Sequence, residues 1–492
     1  MSEIIRSPYK LLLLGGLLTF IITAFFSHGY FHADEHFQLL EFANYKRGLT
    51  PASELPWEFN EKIRPALQPS LALGAVTFLG WMGIESPFTQ VLILRLLTAF
   101  LSWLVISKLA LLLVDQFKNE WSRKFFIFLS VLFWFVPFIS VRFSSENYAS
   151  ITFWAAIFFV LDFYKHVPRQ SNYKLILAGI LLGLSFFFRF QMAFAMAGLG
   201  LWLLFVQKTN WKEIFMLVFP ALIVMMICVG IDTWFYEETV FTPFNYFYQN
   251  IVENRVAEFG ETPWWDYFKL FIEKGIPPFS VLLLILFFVG GYRNKSSVFL
   301  WVFVPFLLGH MAVGHKELRF LFPVVFAFIF LVSLGIDAVL NRYKYRKSWN
   351  WLLIPVLAIN FVALLAYALT PTQVIMKYYR FLYDESQKAP VVLICKNEDM
   401  YQAVGIPIYF YKTPRVKVLV VKDNFEIEQF LETYKPQHVL LLEEDFTLDI
   451  NYKAYEDKKL YCAYPQWIEV FNFGNWIQRS RIYMIHELRL KS

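Results

Sequence analysis

The sequence is a succession of apolar runs, most of them long enough to cross a lipid bilayer. Runs at 11–27, 88–114, 125–141, 147–163, 213–233, 297–313, 318–338 and 350–370 approach the ~20 residues that span a hydrocarbon core about 30 Å thick. The stretch 175–206 is apolar except for Arg189 and Gln191 near its middle, which predicts two short spans meeting at a polar turn. The shorter run 279–292 reads as a further span. The run 67–84, interrupted by Pro69 and Gly80, reads as a re-entrant or interfacial piece. The expected fold is mainly α, a polytopic transmembrane bundle of about eleven helices. Composition agrees: 58% of residues are hydrophobic, 56 are Phe and only 17% are charged, against about 25% charged in soluble domains.

Charge sets the sidedness. One series of loops holds Lys118, Arg123 and Lys124; Lys165, Arg169 and Lys174; Lys208 and Lys212; Arg293 and Lys295; and Arg342, Lys344, Arg346 and Lys347. With the amino terminus inside, every one of these loops is cytoplasmic, as the positive-inside bias requires. Arg6 and Lys10 precede the first apolar run and no small-residue cleavage site follows it, so it is read as a retained helix. The net charge of +6 lies in short loops and gives no argument for a nucleic-acid partner. Of the three cysteines, Cys228 lies in an apolar run. Cys395 and Cys462 share the polar C-terminal part, where pairing would need an oxidising compartment.

The long polar segments then fall on the non-cytoplasmic face: a first outer loop at 28–66, a large outer loop at 234–278, the turn Gly314–Arg319, and everything after Pro371. A module over 1–371 and an extracytoplasmic domain over 372–492 follow from that division. In the latter, 391–395, 416–421 and 439–442 read as buried strands and 424–434 as a helix, the pattern of a small α/β domain. It carries no Gly-rich phosphate loop, so a structural or acceptor-shaping role fits it better than catalysis.

Two outer segments carry most of the chemistry. Residues 32–41 read His-Ala-Asp-Glu-His-Phe-Gln-Leu-Leu-Glu. A partly desolvated Asp34 or Glu35 held near the membrane surface suits a general base toward a hydroxyl. The competing reading is an amphipathic helix with a solvated acidic face. His32 and His36 lie one turn apart, but a metal site needs more ligands than two. The turn His315-Lys316-Glu317-Leu318-Arg319 packs charge at a membrane boundary, which is costly unless paired or functional. Snorkelling with Lys316–Glu317 pairing accounts for part of it. The crowding of His315, Lys316 and Arg319 against the positive-inside bias favours phosphate binding.

At these segments the chain resembles glycosyltransferase family 22, the lipid-phosphate-sugar-dependent mannosyltransferases of GT-C fold that extend GPI anchors and build N-glycans in the lumen. The family's first loop is matched by His32-Ala33-Asp34-Glu35-His36-Phe37-Gln38, Glu41, Trp57-Glu58 and Arg64-Pro65, with Ala33 in place of the usual Pro. Its late motif is matched by His315 through Pro323. A third match runs Thr242–Phe247, Gly260–Phe268 and Gly275–Pro277. The part after about 370 matches weakly, so it does not identify the acceptor.

The resemblance implies a polyprenyl- or dolichyl-phosphate mannose donor, a glycan or glycolipid acceptor, and transfer with inversion. It makes Asp34 the base, with Glu35 as a second base candidate or orienting partner. His315, Lys316 and Arg319 would hold the donor phosphate, with Glu317 fixing the Lys or Arg. Gln38, Trp57, Glu58, Arg64, Trp264, Trp265 and Arg189 are the substrate-binding candidates. The two tryptophans suit sugar stacking or interfacial anchoring equally. Arg189 suits the donor groove or helix packing. A phosphate leaving group needs no separate acid, so no metal or other cofactor is implied, while a divalent metal stays open because related GT-C families differ in metal use. The resemblance leaves a GT-C transferase of another sugar open. A lipid or solute transporter, the alternative from a different class, would place charges at mid-membrane in repeated halves, and no such halves are found. The Phe and Lys content and the divergent tail point to a bacterial member at the outer face of the inner membrane, with the endoplasmic reticulum membrane as the alternative.

Overall fold

The computed structural model describes residues 2–165, 172–343, 350–436, 438–443, 452, 454–471 and 482–491. Arg169, Lys344, Arg346 and Lys347 lie outside them. The chain divides into two compact units. The first comprises Met1–Ser27, Trp57–Phe78 and Val91–Thr370, and the second His28–Pro56, Leu79–Gln90 and Pro371–Ser492.

The first unit is helical. Pro87–Gln116, Ser145–Lys165, Trp211–Tyr236 and Leu318–Tyr343 are each long and apolar enough to cross a bilayer. Lys10–Phe26, Tyr173–Phe188, Met192–Phe205, Phe279–Arg293, Val298–Ala312 and the apolar part of Asn350–Leu369 are shorter apolar helices. Glu120–Leu132 is a further helix of this unit. Trp211–Tyr236 turns Phe215, Phe219, Met226 and Ile227 outward and exposed. That face is an aggregation hazard in water and an ordinary one against lipid. Leu318–Tyr343 lies at the centre, where Phe326 and Phe330 pack against Phe126 and Phe299. Helices Phe279–Arg293 and Val325–Tyr343 approach closely enough that a Cβ on Gly290 would meet the Leu331 carbonyl at 1.9 Å, and one on Gly335 the Leu286 carbonyl at 2.1 Å. Small residues of this kind let membrane helices touch backbone to backbone.

The polar turn expected within 175–206 is present as Arg189–Gln191. Two expectations are corrected. The apolar run 125–141 is not one helix: Glu120–Leu132 stops and a short helix, Val136–Ser140, follows. The buried amide of Asn360 explains the break. It donates to the Leu132 carbonyl (3.0 Å) and accepts from the Trp134 N–H (2.9 Å), so the interrupted backbone keeps its hydrogen bonds. Nor do Pro69 and Gly80 break 67–84, because Leu67–Trp81 is helical throughout. Pro69 stands in the first turn, where its missing N–H has no intrahelical partner to lose.

Contacts within this unit sort its loops to two ends. Lys174 pairs with Asp162 (2.7 Å), Tyr164 bonds Thr209 (2.9 Å) and Asp337 accepts from the Asn119 N–H (3.1 Å). These belong to the end bearing the lysine-rich loops. Glu146, Arg189, Arg319 and the large outer loop meet at the other end, described below.

In the second unit, β1 (Val391–Lys396), β2 (Gln402–Ala403), β3 (Ile406–Pro407), β4 (Val416–Val421), β5 (His438–Glu443), β6 (Tyr455–Cys462) and β7 (Met484–Leu490) follow in order. β2 and β3 pair alone. The other five form one sheet, ordered β4-β1-β5-β7-β6. β4 and β5 run parallel to β1, whereas β7 is antiparallel to β5 and β6. Helix Asn424–Tyr434 stands where expected, its Ile427 and Leu431 buried in a core with Ile394 and Leu441. Cys395 and Cys462 are free thiols. They sit on β1 and β6, with two strands between, and spacings of about 4.8 Å per strand put them well beyond the ~7 Å Cα limit of a disulfide. Burial also pushes the Cys395 thiol up to about 12.

Asn360→Leu is expected to destabilise the helical unit by about 2–4 kcal/mol, since it leaves a buried carbonyl and a buried N–H without partners. Thermal unfolding in detergent measures this, and an unchanged midpoint would show that the break at 133–135 does not depend on Asn360.

Candidate active site

In the second unit, the first outer loop begins with the short helix Ala33–His36. His32 caps it, its Nδ1 accepting from the Asp34 N–H at 3.3 Å. The Glu35 carboxylate folds back to accept from the Phe31 N–H (3.0 Å). The Asp34 side chain is about a quarter exposed. The loop then continues as a π-helical turn over Phe37–Glu41, in which Gln38 is buried.

Glu41, which carried no assigned role, anchors this loop. Its carboxylate takes His36 Nε2 at 2.9 Å, the Thr50 hydroxyl at 2.6 Å and the amides of Tyr409 and Phe410 at 2.8 and 2.9 Å. The His36 ring stacks on Tyr411. Burial alone raises the Glu41 carboxyl. The hydrogen bond and charge of His36, together with the Phe410 amide and Thr50 hydroxyl, outweigh it and hold the group below its ordinary range. His36 is thus engaged by Glu41, and among the described residues no three His, Cys, Asp or Glu side chains gather to hold a metal.

In the first unit, the late turn forms a buried charge cluster. Arg319 lays its Nε and Nη2 on Glu317 at 2.5 and 3.1 Å, and Glu317 also meets His315 Nε2 at 3.0 Å. Arg319 reaches Glu146 at 3.5 Å, and Arg189 reaches the same carboxylate at 2.8 Å. The Phe320 ring lies 5.1 Å from both guanidinium carbons. Glu146, Arg189 and Arg319 are all buried, a setting in which charges persist only when paired. Arg189 leaves helix Tyr173–Phe188 in an extended conformation, which turns it toward Ser145 and Glu146. Its Nε is buried and has no hydrogen-bond partner among the described residues.

Lys316 stands apart from that cluster. Its ammonium donates to the carbonyls of Thr262 (2.9 Å), Val313 (2.7 Å) and Gly314 (3.2 Å). Burial draws it below the usual lysine range, while Asp266 and Glu261 pull it back up. It clips the large outer loop to the late turn, and the Thr262 N–H bonds the Gly314 carbonyl alongside it (3.0 Å). Glu317 therefore holds His315 and Arg319, not Lys316. Trp264 and Trp265 are exposed on the same loop, beside buried Asp266 and Tyr267. Trp57 packs under Arg255, with the guanidinium 5.0 Å from its ring. Buried Glu58 pairs with Arg64 at 3.5 Å, and Arg64 lies over the Tyr246 ring, whose hydroxyl takes the Gln191 amide.

The sequence motifs offer no reading of Glu146, and of Glu41 only its place in the first-loop match. Glu146 stands one residue before the run 147–163, and a carboxylate at a membrane boundary is itself the signal.

The apolar helices and the small terminal sheet define a polytopic membrane protein of GT-C fold. The chain is similar to ArnT from Cupriavidus metallidurans in its apo state (TM-score 0.53, 12% identity, 88% of this chain and 92% of that one). It is equally similar to ArnT bound to undecaprenyl phosphate (0.54, 11%, 89% and 93%). At such identity the likeness bears on fold alone. The family model of the Alg9-like mannosyltransferases matches residues 12–415, and the chain belongs to that family. It is 24% identical over 328 residues to GPI mannosyltransferase 3 of Yarrowia lipolytica, covering 65% of this chain and 60% of that one. It is 24% identical over 309 residues to GPI alpha-1,2-mannosyltransferase 3 of Homo sapiens, covering 62% and 53%. The chain thus spans under two thirds of the length of these relatives.

Because folding lowers its pKa, Glu41 contributes stability above the ordinary glutamate range of about 4.3, and loses it as pH falls through the lower folded value. The native chain is expected to lose more melting temperature between pH 7 and pH 3 than Glu41→Gln does; equal losses would contradict the assignment. Glu146→Gln leaves two buried guanidiniums without their shared carboxylate and is expected to cost about 3–5 kcal/mol, read by thermal unfolding.

Proposed function

We propose that the protein transfers mannose from a polyprenyl- or dolichyl-phosphate donor to a hydroxyl of a glycan or glycolipid, with inversion, at the non-cytoplasmic face. The observation that carries this reading is the buried Arg189–Glu146–Arg319 cluster with an unsatisfied guanidinium donor. A guanidinium N–H facing a low-dielectric site is the group suited to a phosphate oxygen. Family membership supports mannose as the sugar. The names of the relatives support a GPI-type or similar lipid-linked acceptor, and the undecaprenyl phosphate held by ArnT supports a lipid-phosphate donor.

In the proposed step, Asp34 takes the proton of the acceptor hydroxyl as its oxygen bonds the anomeric carbon. The bond from that carbon to the phosphate oxygen breaks, and its electron pair leaves with the lipid phosphate. Arg189 and Arg319 stabilise the charge that develops there. His315 and Glu317 hold Arg319, and Lys316 holds the turn that carries them. Glu35, engaged with the Phe31 amide, orients the helix that presents Asp34. Composition and the divergent tail favour a bacterial plasma membrane as the setting.

The purified chain, supplied with radiolabelled polyprenyl-phosphate mannose and a membrane lipid extract, is expected to transfer label. Asp34→Asn is expected to lose about 10²–10⁴ in rate. Equal transfer by the folded variant would remove Asp34 as base. Transfer from another polyprenyl-phosphate sugar only would overturn mannose.

A further inference from the structure

At the end of the helical unit that carries the arginine cluster lies an open cavity of about 460 Å³. That size falls within the about 300–1,000 Å³ of small-molecule sites. We propose that it is a carbohydrate subsite holding the acceptor glycan beyond its reacting hydroxyl; the inference rests on the glycosyl-transfer reading above.

One wall is Asn60–Lys62 from the first outer loop and the other is residues 238–249. Glu61 accepts from Gln249 Nε2 at 2.7 Å and lies 3.5 Å from Arg255. Lys62 pairs with Glu238 at 2.6 Å, and Asn245 Nδ2 reaches the carbonyls of Glu61 (3.4 Å) and Lys62 (3.3 Å). The Gln249 Oε1 atom is buried and has no hydrogen-bond partner among the described residues. Such an acceptor is costly to leave unmade.

The charge balance selects the ligand class. Both carboxylates are matched by cations, so the site has no surplus charge for an anionic ligand such as a phosphate. Preset carboxylate and amide groups suit a neutral molecule rich in hydroxyls, and a hydroxyl supplies the donor that Gln249 Oε1 lacks. The exposed rings of Phe244 and Tyr248 stand at the rim, 6.1 Å apart and 28° from parallel. Aromatic faces of this kind pack against the C–H face of a sugar ring.

Helix Thr242–Phe247 connects this cavity to the transfer site. Asn245 lines the cavity, while the next residue, Tyr246, takes the Gln191 amide two positions from Arg189. A glycan seated in the cavity is therefore one short helix from the arginine cluster.

Binding of α-linked mannotriose to the full chain in detergent, followed by saturation-transfer NMR, tests this. Gln249→Ala and the similar-sized Gln249→Met, neither of which offers an oxygen acceptor, are each expected to weaken binding about tenfold, the loss of roughly one good hydrogen bond. Undecaprenyl-phosphate binding by both variants is expected to stay native, which also reports that they are folded. In transfer assays the acceptor KM rises by the same factor and kcat holds. Mannotriose binding that is absent from the native chain, or equal in both variants, overturns the subsite. If no polyprenyl-phosphate sugar is transferred while mannotriose binding still follows the Gln249 variants, the proposed reaction fails and the subsite stands.

Discussion

Two arginines facing one buried carboxylate organise the functional end of the helical unit. Arg189 comes from the turn between two short helices, Arg319 from the late outer turn, and Glu146 from the start of a long helix. None can be buried alone, since an isolated charge in a low-dielectric setting costs far more than packing returns. Each therefore fixes the position of a different chain segment. The Phe320 ring, 5.1 Å from each guanidinium carbon, and the Glu317 fork on Arg319 leave that residue little freedom. In the proposed reaction, a cation held in this way would meet a departing phosphate without reorganising.

The second unit solves a similar problem with a different pair. Glu41 is removed from water and compensated by four hydrogen bonds, two of them from backbone amides almost 370 residues away in sequence. The helix bearing Asp34 is thereby tied to the C-terminal sheet domain. This gives that domain a physical role without catalysis: it supplies the amides that hold the first outer loop in shape.

Much of this was legible in the sequence, because a bilayer imposes strong rules. Span length located most of the helices, and short continuous apolar runs located three strands of the terminal sheet. The polar turn at Arg189 was visible as two polar residues inside an apolar run. The break after Leu132 was not, because its cause, Asn360, lies some 230 residues away and reads as an ordinary residue within an apolar helix. The charge of Lys316 is legible in the motif, whereas the three carbonyls that engage it are set by the folded loop. Glu146 stands just outside the apolar run 147–163, and its arginine partners lie about 40 and 170 residues further on. Patterns along the chain thus revealed elements, and the pairing of buried charges required three dimensions.

The central claim is that the buried arginines receive the lipid phosphate. An electron-cryomicroscopy map of the full chain with bound undecaprenyl phosphate tests it most directly. The account predicts phosphate density within hydrogen-bond distance of the Arg189 guanidinium, with Glu146 still between the two arginines. A phosphate bound elsewhere, with the Arg189 and Arg319 side chains unchanged and untouched, would contradict it.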